Sequence, residues 1–135
     1  MVKTFKFEII TPGKVVYSDS VQSVTAEGTE GSFGILADHA PLITEVQMSV
    51  LTVTDGKDNT VQFAIEGGFL EVMANNVVVL TDACLKEGEV DIEKARAEKD
   101  AAEKAILKAA SIGEKEMARA ALKRANTWLK LAKVH

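Results

Sequence analysis

The sequence contains one cysteine, two prolines and one tryptophan, and aromatic residues make up only 5% of its 135 residues. A single thiol cannot form an internal disulfide framework, so Cys84 is expected to be a small packing residue in a reducing compartment. No apolar run reaches the roughly 20 residues of a membrane-spanning helix, and Met1–Glu8 lacks the apolar segment of a signal peptide. These absences favour a soluble chain of cytosolic type.

Signatures of catalysis and metal binding are also missing. No glycine-rich phosphate loop follows a strand and opens a helix, and no cluster of His, Cys and carboxylates has metal-ligand spacing. An enzyme centred on a general base at Asp38-His39 is an alternative, but no nucleophile motif accompanies the pair. The sequence favours a structural or interface role for His39, and it disfavours an enzyme. Its net charge of −4 argues against general nucleic-acid binding.

The composition of the chain changes near residue 90. Eight of the nine glycines and both prolines lie in residues 1–90, whereas twelve of the eighteen alanines lie in residues 91–135. The first part has 5 Lys+Arg and 13 Asp+Glu (net −8), and the second has 11 and 7 (net +4). This contrast predicts two domains with separate roles, residues 1–86 and residues 87–135.

The first domain shows the period of two that is typical of half-buried strands. Phe5, Phe7 and Ile9 alternate with polar residues, and further short apolar segments follow, separated by turn residues. The turn residues lie at 11–13, 28–31, 55–59, 67–68 and 74–76. The pattern predicts eight to ten strands in an antiparallel sandwich or flattened barrel.

The second domain has helical spacing. Asp91 is a suitable N-cap for a helix from about Asp91 to Ala110, and Ser111–Gly113 separates this helix from another, from about Glu114 to Lys133. Alanine dominates the apolar stripe of the pair and buries little area. We therefore expect an antiparallel hairpin that docks weakly on the first domain; a permanently docked pair is the alternative.

Basic side chains concentrate on one side of the second helix. Its two acidic residues, Glu114 and Glu116, lie at its start, whereas an ordinary exposed helix mixes the two signs along its length. A basic face of this kind favours an acidic protein partner, with a simply solvated face as the alternative. This side carries Lys115, Arg119, Lys123, Lys130 and Lys133. The residues expected to carry the contact are Arg119, Lys123 and Lys130 of this side, together with Arg124.

Two motifs resemble those of a known family. The run Gly31–Leu42, GSFGILADHAPL, is similar to the G-x-x-G-I-L-x-x-H-x-P-L stretch of the epsilon subunit of bacterial F-type ATP synthases, and Gly67–Val72, GGFLEV, is similar to a second stretch. The order of the motifs and the two-helix tail extend the resemblance over essentially the whole chain. It implies a flattened antiparallel β-sandwich of about ten strands, followed by an antiparallel two-helix hairpin.

The resemblance also implies a function. The protein would be a non-catalytic rotor-stalk subunit that couples ion translocation to ATP synthesis and lies on the cytoplasmic side of the bacterial membrane as a peripheral component. The sandwich would bind the gamma subunit and the c-ring. The hairpin would inhibit ATP hydrolysis when it extends toward the alpha and beta subunits of the catalytic head. The implied interface residues of the sandwich are Glu30, Gly31, Ser32, Phe33 and His39.

Three positions depart from the family pattern. Ser32 stands where several members have a glutamate, so Glu30 is the expected substitute in an ionic contact. Some members bind ATP between hairpin and sandwich through an I/L-D-x-x-R-A pattern. This chain keeps Asp91 but has Lys94 in place of the arginine, and Leu85 in place of an acidic residue. Lysine lacks the planar guanidinium fork, so we expect only weak ATP binding, through Asp91, Lys94 and Arg124. The resemblance implies no required cofactor.

A free β-sandwich binding module whose helices form a dimerisation hairpin is the rival interpretation from another functional class.

Overall fold

A computed structural model describes residues 3–28 and 31–133 of the chain. In this part of the chain seven strands are followed by two helices. The strands are β1 (Phe5–Thr11), β2 (Lys14–Gly28), β3 (Gly31–Leu36), β4 (Leu42–Asp55), β5 (Thr60–Met73), β6 (Asn76–Leu80) and β7 (Cys84–Lys86). The helices are α1 (Ile92–Lys108) and α2 (Ile112–Leu131). The expected order of a β-rich domain followed by a helical hairpin is confirmed.

The strands form one sheet that closes on itself. Its order is β1-β6-β5-β4-β2-β3. In addition, β7 pairs with β5, and β1 pairs with β2. The strands β1, β6, β5, β4 and β2 therefore make a five-membered ring. All pairings are antiparallel except β1–β6, which is parallel. A ring with an odd number of strands cannot alternate direction throughout, so the expectation of a wholly antiparallel sheet fails at one pair.

The hydrophobic core lies inside this ring. Phe5, Phe7 and Ile9 are buried as their alternation predicts, and they join a core of side chains from β2 to β6. Tyr17 packs between two buried rings, with its centroid 6.0 Å from that of Phe7 and 5.0 Å from that of Phe63. A fully buried large apolar side chain contributes roughly 1.5–3 kcal/mol. The core contains no residue of α1 or α2, so the sandwich has a hydrophobic core of its own.

The described strands number seven, fewer than predicted, because predicted breaks lie inside strands. Gly67 and Gly68 have φ values of +91° and +135°, and β5 continues through them. Phe63 faces the core before the glycines and Leu70 faces it after them. The alternation therefore shifts by one residue at this bulge, which gives one strand the sequence pattern of two.

The helices begin at polar caps. The Asp91 carboxylate accepts a hydrogen bond from the Lys94 amide at 3.0 Å, which confirms the predicted N-cap. The Ser111 hydroxyl accepts one from the Glu114 amide at 3.1 Å. Gly113 lies in the first turn of α2 and does not end α1, contrary to expectation. Neither helix in the described chain combines the length and apolarity needed to cross a membrane.

Candidate interaction sites

The outer surface of β4, β5 and β6 carries a cluster of large apolar side chains, which we call the outer patch: Ile43, Phe69, Met73 and Leu80. They are between 45% and 69% exposed. Phe69 is paired with Leu80, and Ile43 is paired with Glu71, between Phe69 and Met73. Residues two apart on a strand share a face, so the four side chains are neighbours. Contiguous exposed apolar side chains are typical of an interaction surface.

His39 lies in the connection between β3 and β4, next to this patch. Asp38 has a φ of 63° and is held by Asn75, whose side chain accepts a hydrogen bond from the Asp38 amide at 2.8 Å and donates one to its carboxylate at 3.1 Å. Because Asn75 belongs to the β5–β6 turn that follows Met73, the loop is fixed at one end of the outer patch. His39 itself is exposed, and its Nδ1 lies 2.7 Å from the Ala40 carbonyl oxygen.

The neighbouring Asp38 carboxylate is engaged by a cation and an amide. Lys3 lies 3.0 Å from it, and the hydrogen bonds from Lys3 and Asn75 lower the pKa of Asp38. The carboxylate is thus occupied by Lys3 and Asn75. This arrangement gives no support to a general-base pair at Asp38-His39.

The remaining sequence-predicted interface residues lie at the far end of β3. Gly31 opens the strand with a φ of +118°, Ser32 is exposed, and Phe33 packs partly against the core. Phe33 is therefore partly a structural residue. Because Gly31 and Ser32 open β3 and His39 follows the end of that strand, the structure places them at its opposite ends. Glu30 lies outside the described residues.

The tail docks on the sandwich through Leu131 and Trp128, whereas the sequence predicts a contact made mainly of alanines, with Trp128 among them. Leu131 is fully buried in a cluster with Val50 and Ala64, a cross-strand pair of β4 and β5, and Trp128 packs against the same cluster. Leu85 and Val90, also packed against the cluster, complete the contact. Alanine makes a different interface: the buried residues of α1 are Ala95 and Ala102, and α1 packs mainly on α2. The alanine stripe thus joins the two helices within one chain.

The basic residues of α2 contact polar side chains of the sandwich. Lys123 Nζ donates to Gln47 Oε1 at 3.1 Å. Arg124 lies 4.0 Å from Glu66 and 5.4 Å from the centre of the Trp128 ring. Lys130 lies 3.5 Å from Glu27. Arg119 lines a shallow groove along α2 together with Lys123 and Lys130.

A cavity of about 260 Å³ lies between the tail and the sandwich. Its lining includes Asp91 and Lys94, and also Glu66 and Trp128, the two residues that Arg124 contacts. The structure therefore places Asp91 and Lys94 in the wall of one cavity, whereas Arg124 contacts two residues of that wall without lining the cavity itself. The wall nevertheless holds three carboxylates, those of Glu66, Glu89 and Asp91, against the single cation of Lys94.

Comparison with known proteins identifies the family. Residues 4–87 match the model of the ATP synthase, Delta/Epsilon chain, beta-sandwich domain. Over 132 residues the chain is 37% identical to the ATP synthase epsilon chain of Desulforamulus reducens, covering 98% of this chain and 99% of that one. The epsilon chain of Carboxydothermus hydrogenoformans is 45% identical over 97 residues, 71% of each chain.

This chain belongs to the ATP synthase epsilon chain family.

The fold also matches that of a chain in the cryo-EM structure of the Euglena gracilis mitochondrial ATP synthase, OSCP/F1/c-ring. The TM-score is 0.85 at 20% identity, over 96% of this chain and 81% of that one. A likeness at this identity supports the fold, whereas the bacterial relatives carry the assignment as an epsilon chain. Since the Desulforamulus epsilon chain aligns through both helices, the tail belongs to the family resemblance as much as the sandwich does.

Sequence reasoning missed two groups of residues in this epsilon chain. The outer patch is invisible in the sequence because its members come from three strands and become neighbours only through the register. The acidic partners of the tail, Glu27, Glu66 and Glu87, were scattered among 13 acidic residues of the first 90. The charge contrast between the domains was the one available signal, and it identifies no pair.

Proposed function

We propose that this epsilon chain is a non-catalytic subunit of the ATP synthase central stalk, peripheral to the membrane on its cytoplasmic side, and couples rotor ion translocation to ATP synthesis. In this proposal the outer patch, with His39 at its rim, binds the gamma subunit. The turn between β2 and β3, with Glu30, Gly31 and Ser32, faces the c-ring. Burial of an exposed apolar patch is the main favourable term in stable protein association, and the patch lies on paired strands of the sandwich.

The tail acts as an intrinsic inhibitor of ATP hydrolysis in this proposal. The observation that carries it is the small size of the docking contact: Leu131 and Trp128 supply the apolar part, and basic side chains surround it. Leu107, Ile112 and Met117, around the connection between the helices, are each more than 75% exposed. Two states separated by a few kcal/mol can be exchanged by a competing partner. Released from the sandwich, α2 presents Arg119, Lys123, Arg124 and Lys130 to acidic segments of the alpha and beta subunits.

Removal of residues 91–135 tests this proposal. The truncated chain should fold and assemble, because the core in the ring contains no tail residue. ATP hydrolysis by the assembled complex should rise, while ATP-driven ion pumping should remain coupled. Unchanged hydrolysis would reject the inhibitory role, and failure to assemble with gamma would reject the central-stalk role of the sandwich.

The cavity between tail and sandwich supports a second proposal, weak ATP binding that holds the tail in its docked position. Asp91 and Lys94 line the cavity, and Trp128 offers an aromatic surface for a nucleobase. Its 260 Å³ lies below the roughly 300–1,000 Å³ of ordinary ligand pockets. The excess of carboxylates also opposes a polyphosphate, and for both reasons we infer only weak affinity.

Titration calorimetry of the full chain with ATP tests this second proposal. Lys94→Arg should tighten binding about tenfold, because a guanidinium makes paired hydrogen bonds to phosphate that an ammonium cannot make. Asp91→Asn tests the carboxylate of Asp91 without loss of the helix cap, since asparagine caps as well as aspartate. Absence of heat with both the wild-type chain and Lys94→Arg would reject nucleotide binding.

A further inference from the structure

Ion pairs between the two domains surround the apolar docking contact. Lys133 lies 3.0 Å from Glu87, Lys130 lies 3.5 Å from Glu27, and Arg124 lies 4.0 Å from Glu66. The three glutamates lie on β2, on β5 and just after β7, so they hold α2 from different parts of the sandwich. The three bases lie in the second half of α2 and in the turn after it. The pairs therefore act on the part of the tail that docks.

These pairs respond to the solution differently from the apolar contact. Their side chains are between 27% and 68% exposed, and exposed ion pairs contribute little individually and are screened by salt. Apolar burial does not weaken with sodium chloride in this way. Residues 1–90 carry a net charge of −8 and residues 91–135 a net charge of +4. The attraction between these opposite net charges favours docking, as the ion pairs do.

Two of the three bases, Arg124 and Lys130, are residues of the predicted inhibitory contact. A lysine or arginine that pairs with a sandwich glutamate cannot at the same time pair with an acidic residue of another subunit. We propose that Glu27, Glu66 and Glu87 form an electrostatic latch, which occupies the tail cations and competes with the acidic partner for them. The latch itself is independent of the inhibitory role, whereas the competition rests on the proposed function.

Amide hydrogen exchange of α2 in the isolated full chain tests the latch. In Glu27→Gln/Glu87→Gln, exchange should be about fourfold faster than in wild type, roughly twofold for each exposed pair. Raising sodium chloride from about 0.05 to about 0.5 M should accelerate exchange in wild type, because the Debye length shortens, and much less in the variant. The matched control is Asp19→Asn/Asp58→Asn, which removes two sandwich charges that make no ion pair to the described tail.

Two outcomes of the exchange measurement would overturn the latch. One is equal exchange in the latch variant and the charge control, since net charge alone would then explain the effect. The other is wild-type exchange that does not accelerate with salt. Because exchange detects rare undocked molecules, a tightly docked tail still gives a measurable rate.

ATP hydrolysis by the assembled complex then tests the competition. The comparison is made at a salt concentration where the wild-type complex keeps about half the activity of the tail-deleted complex. There the ratio of inhibited to active complexes should be up to about fourfold higher with Glu27→Gln/Glu87→Gln, in proportion to the fraction of released tail. Inhibition equal to that of the Asp19→Asn/Asp58→Asn complex would overturn the competition. If deletion of the tail itself leaves hydrolysis unchanged, the proposed inhibitory function fails, and the exchange result still decides the latch.

Discussion

Gly68 shows how a single residue fixes the shape of the sandwich. A Cβ at this position would lie 1.9 Å from the Leu80 carbonyl oxygen, and its φ of +135° is one that other residues rarely adopt. The backbones of β5 and β6 therefore approach each other here as only glycine permits. The bulge that results turns Phe69 outward into the outer patch and Leu70 inward to the core.

We predict that Gly68→Ala lowers the free energy of unfolding by about 2–4 kcal/mol, the sum of backbone strain and displacement of the β6 backbone. Gly13→Ala is the control, because Gly13 also has a positive φ of +76° but no atom within 4 Å of the added Cβ. It should cost only about 1 kcal/mol of strain. Urea unfolding of both variants measures the difference, and equal costs would show that the approach to Leu80 is unimportant.

Residue-level patterns account for much of what the sequence predicts. The burial of Phe5, Phe7 and Ile9 is predictable because strict alternation of apolar and polar residues has only one interpretation, a half-buried strand. The cap at Asp91 is predictable because a carboxylate before a helical segment satisfies the free amides of the first turn. The prediction of a break at Gly67–Gly68 is wrong because a bulge and a strand end share the same local signal, a pair of glycines. Only the partner strand distinguishes them, and that information is not local.

At the scale of elements, α2 has two buried sides that pack on different partners, one on α1 and the other on the sheet. Ala118 and Ala125 lie on a side suited to the close approach of α1, whereas Leu131 is buried against the sheet. The sequence predicts both helices and the alanine stripe. It does not predict the docking side, because Leu131 lies off that stripe and its contacts, Val50 and Ala64, look like ordinary strand residues.

We predict that Leu131→Ala releases the tail, because truncating a buried leucine costs about 2–5 kcal/mol. Burial, and secondarily Glu89, raises the pKa of the Cys84 thiol to about 11. Release of the tail uncovers the cavity that Cys84 lines, so the pKa should fall and the thiolate fraction at pH 8 should rise. The rate of thiol labelling of this single cysteine should increase more than tenfold.

Leu107→Ala is the matched control for this measurement. Leu107 is 86% exposed on α1 and away from the docking contact, so its truncation should change stability by less than about 0.5 kcal/mol. Equal labelling rates in the two variants would contradict the assignment of Leu131 as the docking residue. Circular dichroism of both variants shows whether the helices themselves persist.

At the scale of the whole molecule, charge and apolar surface are divided between the domains. The acidic sandwich holds the basic tail at one surface and leaves the outer patch open at another. The sequence predicts the charge contrast because net charge needs no coordinates. The patch and the ion pairs depend on register and on the placement of α2, so composition could not reveal them. Asp91 and Lys94 line one cavity, and its excess of carboxylates depends on the fold, so the sequence does not predict it.

The odd number of strands in the ring has a consequence for the order in which the chain becomes structured. The parallel pair joins Lys6 to Asn76, contacts about 70 residues apart, so the ring cannot close until nearly the whole sandwich has been synthesised. The tail is synthesised only after that point. The tail therefore emerges when all strands of the sandwich that it docks on have been synthesised. Because the core inside the ring contains no residue of α1 or α2, the packing of that core does not depend on the docked tail.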